Sequence, residues 1–350
     1  MNPHCYPIQL SALRTAADIE QALSEPTPAV VEALARLPGD LLVLGVGGKM
    51  GPTLALMARK ASAAAGVRRR IIGVARFSSG DLEARLQGYG IETVRADLLD
   101  RSQLARLPDA PNVVYMAGMK FGSTGSEALT WAMNCYLPGL VCERYAASRI
   151  AAFSTGNVYG LTPVTQGGSL ESDAPKPVGD YAMSCVGRER IFQHFSLSRQ
   201  TPVTLIRLNY AVELRYGVPL DLALRIQAGE PVDLAMGHFN MIWQPDANAM
   251  VLQALAQAAS PAFLLNVTGP ELLRVRDVAA RIGERLGKPV RFCGQEAPDA
   301  LLSNASLAQR LFGPPRLTAV EVSDLVADWV RNGGATLDKP THFEARNGKF

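Results

Sequence analysis

The sequence predicts a doubly wound α/β fold: a parallel sheet of the Rossmann type with a smaller C-terminal lobe. Three observations carry this prediction. From Asp40 onward, short apolar runs alternate with helical stretches. The runs are continuous rather than every-other-residue, which suits strands buried on both faces of a sheet. The first run ends in a glycine-rich turn that opens directly into a helix, as the first strand of this architecture does.

Taken in order, Thr15 to Leu23 is helical in pattern, and Thr27-Pro28 reads as an N-cap with proline in the first turn of a helix ending near Pro38-Gly39. Residues 1–38 are therefore a helical extension, expected to pack on the main domain or on a second subunit. Strands are predicted at Leu41–Leu44, Ile71–Ala75, Ile91–Arg95, Val113–Met116, Ile150–Phe153 and Val203–Arg207. Helices are predicted near Pro52–Ala65, Asp81–Gln87, Ser126–Ala147 and Asp180–Ser198. This gives a nucleotide-binding domain over 39–210. Looser patterning, with helices at Pro219–Ile226, Asp246–Ala256, Val275–Leu286 and Val320–Val330, gives a smaller substrate lobe over 211–332 that also supplies parts of the sheet. Residues 333–350 read as a polar tail.

With 350 residues, 48% hydrophobic and 19% charged, the chain can bury a sizeable core. A net charge of +3 is too small to make nucleic acid or a membrane surface the main partner. No apolar run approaches the roughly 20 residues of a membrane helix. The five cysteines are scattered, which predicts reduced thiols in a cytoplasmic protein, and no His or Cys spacing forms a metal site. His194, His238 and His342 stand alone.

The turn Gly45-Val-Gly-Gly48-Lys49-Met50-Gly51 has the spacing G-x-x-G-x-x-G. The first glycine permits the tight turn, the second admits a diphosphate, and the third lets helix and strand pack closely. The helix start supplies free amides and the positive end of its dipole. A dinucleotide is the ligand this predicts. At the end of the second strand, NAD binders place an acid that accepts bonds from the ribose. Here Arg76 follows Ala75, with Ser78 and Ser79 behind it. A guanidinium suits a 2′-phosphate, so NADP is favoured over NAD, although Arg76 can also stack on adenine or point to solvent. Asp97 can accept a bond from the adenine amino group or cap a helix.

The order of further motifs resembles the extended short-chain dehydrogenase/reductase family, the epimerase/dehydratase group that includes UDP-galactose 4-epimerase, over residues 40–330. Tyr115-Met-Ala117-Gly118-Met-Lys120-Phe-Gly122 is similar to the segment beneath the nicotinamide ribose. Asn134 matches the residue that organises a proton-relay water. Phe153-Ser154-Thr155-Gly-Asn157-Val-Tyr159-Gly160 matches the S-[ST]-x-x-V-Y-G block, and Tyr181 follows at the family's spacing. The resemblance implies an NAD(P)-dependent oxidoreductase, epimerase or dehydratase for a sugar, sugar acid or nucleotide sugar, with Thr155 and Tyr181 on the reacting oxygen. Arg207-Leu-Asn209-Tyr210 and Asn157 would contact substrate, with Arg207 alternatively an ion-pair partner, Asp246 matches a late helix element or serves as an N-cap, and Asn266-Val-Thr-Gly269 matches an N-x-x-G strand end. A homodimer is implied through the helices carrying Asn134 and Tyr181, with Leu137, Val141, Ile191 and Phe192 compatible with it.

One residue departs from the family. Its pattern is Y-x-x-x-K, whose lysine binds the nicotinamide ribose and lowers the tyrosine's pKa; here that position is Cys185. An unperturbed phenol titrates near pKa 10, and bringing it to neutrality takes roughly 4 kcal/mol of electrostatic help. A thiol provides no cation. Three readings follow: Lys120 reaches Tyr181 and the ribose; Tyr181 only donates or orients and another group is the base; or the chain is a degenerate NAD(P)-binding sensor. Residues 163–179, with Glu171 and Asp173, read as a mobile loop at the substrate entrance.

Overall fold

The computed structural model describes residues 13–78, 80–120 and 122–348; Cys5, Ser79 and Phe121 lie outside the described residues. Seven parallel strands form the central sheet: β1 (Leu41–Leu44), β2 (Ile71–Ala75), β3 (Glu92–Arg95), β4 (Asn112–Tyr115), β5 (Arg149–Thr155), β6 (Val203–Leu208) and β7 (Phe263–Val267). Their spatial order is β7-β6-β5-β4-β1-β2-β3. β1 and β4 are buried at every position, as uninterrupted apolar runs require. The chain winds outward from β1 to β3, then restarts at β4 on the other side of β1. The crevice beyond the carboxyl ends of β1 and β4 is therefore the topological switch point, where ligands bind in such sheets.

The helices are α1 (Ala16–Leu23), α2 (Pro28–Arg36), α3 (Gly51–Ala64), α4 (Leu82–Gly88), α5 (Arg101–Ala105), α6 (Glu127–Trp131), α7 (Leu137–Arg144), α8 (Gly179–Arg199), α9 (Val218–Ala228), α10 (Gln244–Ala254), α11 (Val275–Leu286), α12 (Ser306–Phe312) and α13 (Ala319–Arg331). Thr27 accepts a bond from the Val30 amide with Pro28 behind it, the predicted start of α2. Both helices of the extension pack on their own chain. Val30 and Leu34 of α2 join α3 and α10 in the core on one sheet face. Ile19, Ala22 and Leu23 of α1 join the lobe core built from α9, α11 and α13.

Three expectations change. The long helix predicted over Ser126–Ala147 is interrupted by a π-helical turn at Ala132–Tyr136, which separates α6 from α7 and holds Asn134. Of the polar tail, residues 333–348 are docked on the lobe: Thr341 and Phe343 are buried, Thr341 hydroxyl and amide donate to Asp221, and Arg346 pairs with Asp299. Asp246 does not cap α10, whose N-cap is Trp243; it sits inside the first turn and pairs with Arg316. The sheet also draws on the later sequence, since β7 and α10 follow residue 210 yet complete the layers around β6.

Candidate active site

Two adjoining hollows occupy the switch point. The first, a groove of about 420 Å³, is lined by Gly45, Gly47 and Gly48 of the turn, by Arg76 and Asp97 at the ends of β2 and β3, and by Ala117 and Gly118 after β4. The glycines divide the labour as the sequence predicts. A Cβ on Gly45, at φ +87°, would lie 2.7 Å from the Ala117 amide, and one on Gly51 would lie 2.3 Å from the Val46 carbonyl. A Cβ on Gly48 would meet only the Gly45 carbonyl, at 3.5 Å, so its hydrogen leaves room for a ligand rather than for neighbours. No side chain caps α3; the Gly51 amide donates to the Gly48 carbonyl at 3.2 Å and Pro52 has no N–H, so the Thr53 amide is the first-turn donor left to an anion. These residues fit a dinucleotide. Asp97 Oδ1 accepts from the Leu99 amide, 3.0 Å away, while Asp100 is the cap of α5. Arg76 is exposed on the groove wall beside Phe77, whose φ of +45° is unusual for a bulky residue.

The second hollow is a cavity of about 250 Å³ lined by Lys49, Lys120, Thr155, Asn157, Tyr181, Arg188, Asn209, Tyr210 and Tyr216, among others. Met116, Gly118 and Met119 line both hollows. Thr155, at the end of β5, accepts a bond from the Asn157 amide and donates to Asn157 Oδ1, and it also bonds Tyr181. Burial pushes the Tyr181 phenol up, with Cys185 beside it adding to the rise; Arg188 and Thr155 work in the other direction and do not offset it. Cys185 is fully buried among Val158, Tyr159 and Tyr181, and burial raises its thiol too, so it is a neutral packing group. Lys120 Nζ lies 6.0 Å from the centre of the Tyr181 ring, and burial lowers its pKa to about 8. Lys49 does not line the groove. Its side chain turns into the cavity, where Nζ donates to the Ala211 carbonyl at 2.7 Å and sits 4.2 Å from the centre of the Tyr216 ring. Burial lowers its pKa to about 7, opposed by Glu213.

The sequence reading overlooked Arg188. It lies three residues beyond Cys185 on α8, and its guanidinium is buried directly behind Gly118, where a Cβ would come within 2.3 Å of Nη2. It donates to the Phe153 carbonyl (2.8 Å), to the Asn134 carbonyl (3.3 Å) and to Asn134 Oδ1 (2.6 Å). A charged residue one turn from Cys185, on the helix face that carries Tyr181, Ser184 and Cys185, was the available signal. Asn134 is fully engaged: Oδ1 also accepts from the Met119 amide, while Nδ2 donates to the Met119 carbonyl and to Ser184. With both ends of its amide taken, it fixes the Met119 backbone and Arg188 instead of a relay water.

Two further expectations are corrected. Arg207 does not reach the cavity. It is 2% exposed and binds both Glu189 oxygens at 3.0 and 2.7 Å, the Tyr159 hydroxyl at 2.7 Å and the Glu171 carbonyl at 3.2 Å. Burial on β6 makes it an ion-pair partner; Asn209, two residues on, does line the cavity while holding Asn240 and the Leu301 carbonyl. The 163–179 loop is fastened to the lobe by Ser169 amide to the Leu302 carbonyl and to the nucleotide-binding domain by Lys176 amide to the Val158 carbonyl, and none of its residues lines the cavity. Among the described residues no cluster of His, Cys, Asp and Glu is arranged for a metal, and no helix is long and apolar enough to cross a membrane.

Neither a family model nor a curated protein matches the sequence. Solved structures do. The chain is similar to UDP-glucuronic acid 4-epimerase from Bacillus cereus in complex with UDP-glucuronic acid and NAD, at 17% identity over 84% of this chain and 99% of that one, with a TM-score of 0.68. It is similar to UDP-glucose 4-epimerase from Thermotoga maritima with UDP-glucose, at 16% identity over 84% and 99%, TM-score 0.68. It is similar to dTDP-glucose 4,6-dehydratase from Bacillus anthracis in complex with NAD, at 16% identity over 84% and 97%, TM-score 0.69. The chain therefore has the Rossmann fold of nucleotide-sugar epimerases and dehydratases, nearly end to end in their terms. About a sixth of it, by the same measure, falls outside the match.

Proposed function

We propose that the chain is an NAD(P)-dependent oxidoreductase, epimerase or dehydratase acting on a sugar, sugar acid or nucleotide sugar. The observation that carries this reading is the shared wall of Met116, Gly118 and Met119, which joins the groove headed by the glycine turn to the cavity holding Thr155 and Tyr181. Gly45, Gly48 and Gly51, with the Lys49 and Met50 amides, hold the diphosphate, and Ala117 and Gly118 lie beneath the ribose beyond it. The nicotinamide supplies a hydride acceptor when bound. Thr155 and Tyr181 hydrogen-bond the reacting substrate oxygen, and Tyr181 keeps its proton on Oη because burial raises it. Arg188 stands in for the missing lysine as the fixed cation under this site. Arg76 at the groove rim favours NADP over NAD.

The α6–α8 surface supports a homodimer in a cytoplasmic protein. Leu137, Val141 and Phe192, named from sequence as contact candidates, are buried against the sheet. The exposed apolar face is made instead by Trp131, Tyr136 and their neighbours, with Ile191 on its wall.

The test is calorimetry with NAD and NADP in both redox states, followed by absorbance of reduced nicotinamide during incubation with sugars and nucleotide sugars. Binding with turnover that Tyr181→Phe abolishes, while dinucleotide affinity stays, is the expected result. Binding of neither dinucleotide refutes the reading; binding without turnover on any sugar points to a sensor.

A further inference from the structure

The cavity has an unusual balance of charge. Lys49, Lys120 and Arg188 line it, and among the described lining residues there is no aspartate or glutamate. The remaining polar wall, from Thr155, Asn157, Tyr181, Asn209, Tyr210 and Tyr216, is neutral. The acidic group nearest in effect to Lys49 is Glu213, and it is committed elsewhere. Glu213 is 1% exposed, and both its oxygens accept from Arg215, at 3.1 and 3.2 Å from Nε, with the Arg215 amide adding a further bond. The contacts of Lys49 Nζ are a carbonyl and a ring face, each able to solvate an ammonium and neither able to neutralise it. Lys120, which faces the same small hollow, makes Lys49 harder to keep charged, while Asp221 supports the charge on Lys120 from outside the cavity wall. Confined like charges of this kind cost free energy until an anion arrives.

We infer that the substrate of this cavity carries a carboxylate, held by Lys49 and Lys120, so that the chain acts on an acidic sugar rather than a neutral one. This rests on the dinucleotide-dependent reading above and narrows it. A cavity of about 250 Å³ is smaller than the roughly 300–1,000 Å³ of sites for drug-sized ligands, which suits a single sugar-acid ring or chain as the part enclosed. The dinucleotide's own diphosphate is the competing source of negative charge. It is assigned to the groove, whose wall contains Gly45, Gly47 and Gly48 but not the Lys49 side chain. The neutral polar groups around the ammonium groups then read the hydroxyls, with Asn157 and Tyr216 on the cavity wall.

The experiment is calorimetric titration of the full chain, saturated with dinucleotide, with matched pairs of probes: D-glucuronate and D-gluconate against D-glucose, and UDP-glucuronic acid against UDP-glucose. A charge-assisted hydrogen bond lost on going from acid to neutral sugar is expected to weaken binding about tenfold or more. Lys49→Met is expected to remove most of that preference while leaving dinucleotide affinity unchanged, and Lys49→Arg to retain part of it. A thermal melt of each variant establishes that it is folded. Equal binding of acid and neutral partners, or binding of no acid by a chain that does bind dinucleotide, overturns the inference. So does a Lys49→Met variant that loses dinucleotide affinity but keeps the acid preference, since the charge would then serve the diphosphate. Failure of the chain to bind dinucleotide at all is a different result, and it removes the parent reading.

Discussion

Replacing Arg207 by methionine separates a structural ion pair from a substrate contact. Arg207 and Glu189 are 2% and 1% exposed and share two hydrogen bonds of 3.0 and 2.7 Å. Without the guanidinium, the Glu189 carboxylate keeps one bond, from Ser154 Oγ at 2.6 Å, and the Tyr159 hydroxyl loses a donor. Breaking a buried pair by removing one partner costs about 3–5 kcal/mol, because the survivor is an uncompensated buried charge. Against a total stability of roughly 5–15 kcal/mol this is about a fifth of the margin or more. Replacing both partners by apolar groups of similar volume is far cheaper, often close to neutral. The double variant Arg207→Met/Glu189→Met is therefore expected to recover most of the loss. Guanidinium denaturation of the two single variants and the double gives the coupling energy directly. The reasoning fails if Arg207→Met loses less than about 1 kcal/mol while raising KM for the sugar, since that is the signature of a residue that touches substrate.

Other perturbations read other parts of the site. Gly48→Ala is expected to leave stability within about 0.5 kcal/mol, because its Cβ meets nothing closer than 3.5 Å, yet to abolish dinucleotide binding measured by calorimetry. If Arg76 reads a 2′-phosphate, Arg76→Ala should weaken NADP about tenfold or more and leave NAD unchanged; a uniform loss for both assigns Arg76 to adenine. Cys185→Lys is expected to destabilise the protein and bring no gain in turnover, because it adds a charge to a site already faced by Arg188; a rise in turnover would show that the lysine's place is still functional. Folding stability should rise with pH between about 7 and about 10. Burial holds Lys49 near 7 and Lys120 near 8 in the folded chain against an ordinary value of 10.5, so the unfolded chain binds more protons across that window. Glu213, Arg215, Lys120 and Lys339 bear on Lys49, and Cys185 and Asp221 on Lys120. Lys49→Met should flatten the lower part of the rise in denaturant melts.

The fold was legible because its signals are local. Continuous apolar runs such as Leu41–Leu44 and Ile71–Ala75, too short for helices and bounded by turn residues, suit strands covered on both sides, and Gly45 and Gly51 sit where any Cβ collides with backbone. β7 was legible only through the N-x-x-G resemblance, since Asn266 within it breaks the apolar pattern that marks the others. The π-turn at Ala132–Tyr136 was missed because α6, the π-turn and α7 follow one another without a break in helical backbone, so the stretch reads as one helix. The site was half legible. Thr155 and Tyr181 follow from motif spacing, but which hollow Lys49 faces depends on how the turn rolls over the head of α3, and that is set by distant contacts with Ala211 and Tyr216. Whether Arg207 meets substrate or an ion-pair partner was undecided, and the role of Arg188 hidden, for the same reason: each is decided by partners from another segment, Glu189 in one case, Asn134 and Phe153 in the other.

On the proposed reading, Cys185 in the place of the family's lysine does not leave the site without a cation, since Arg188 lines the same cavity. Arg188 cannot give up its proton under ordinary conditions, so its positive charge is permanent. All its observed bonds go to neutral oxygens, of Asn134 and Phe153, which makes it a rigid support for the Gly118 backbone and not a ligand for substrate. It lowers the Tyr181 phenol without overcoming burial, so on the proposed reading Tyr181 delivers a hydrogen bond and does not start the reaction as a base. The groups in the cavity that change protonation near neutrality are instead Lys120 and Lys49, at about 8 and about 7. On the proposed reading, the pH dependence of turnover should then follow these two ammonium groups, whose charge holds the substrate, rather than the Tyr181 phenol.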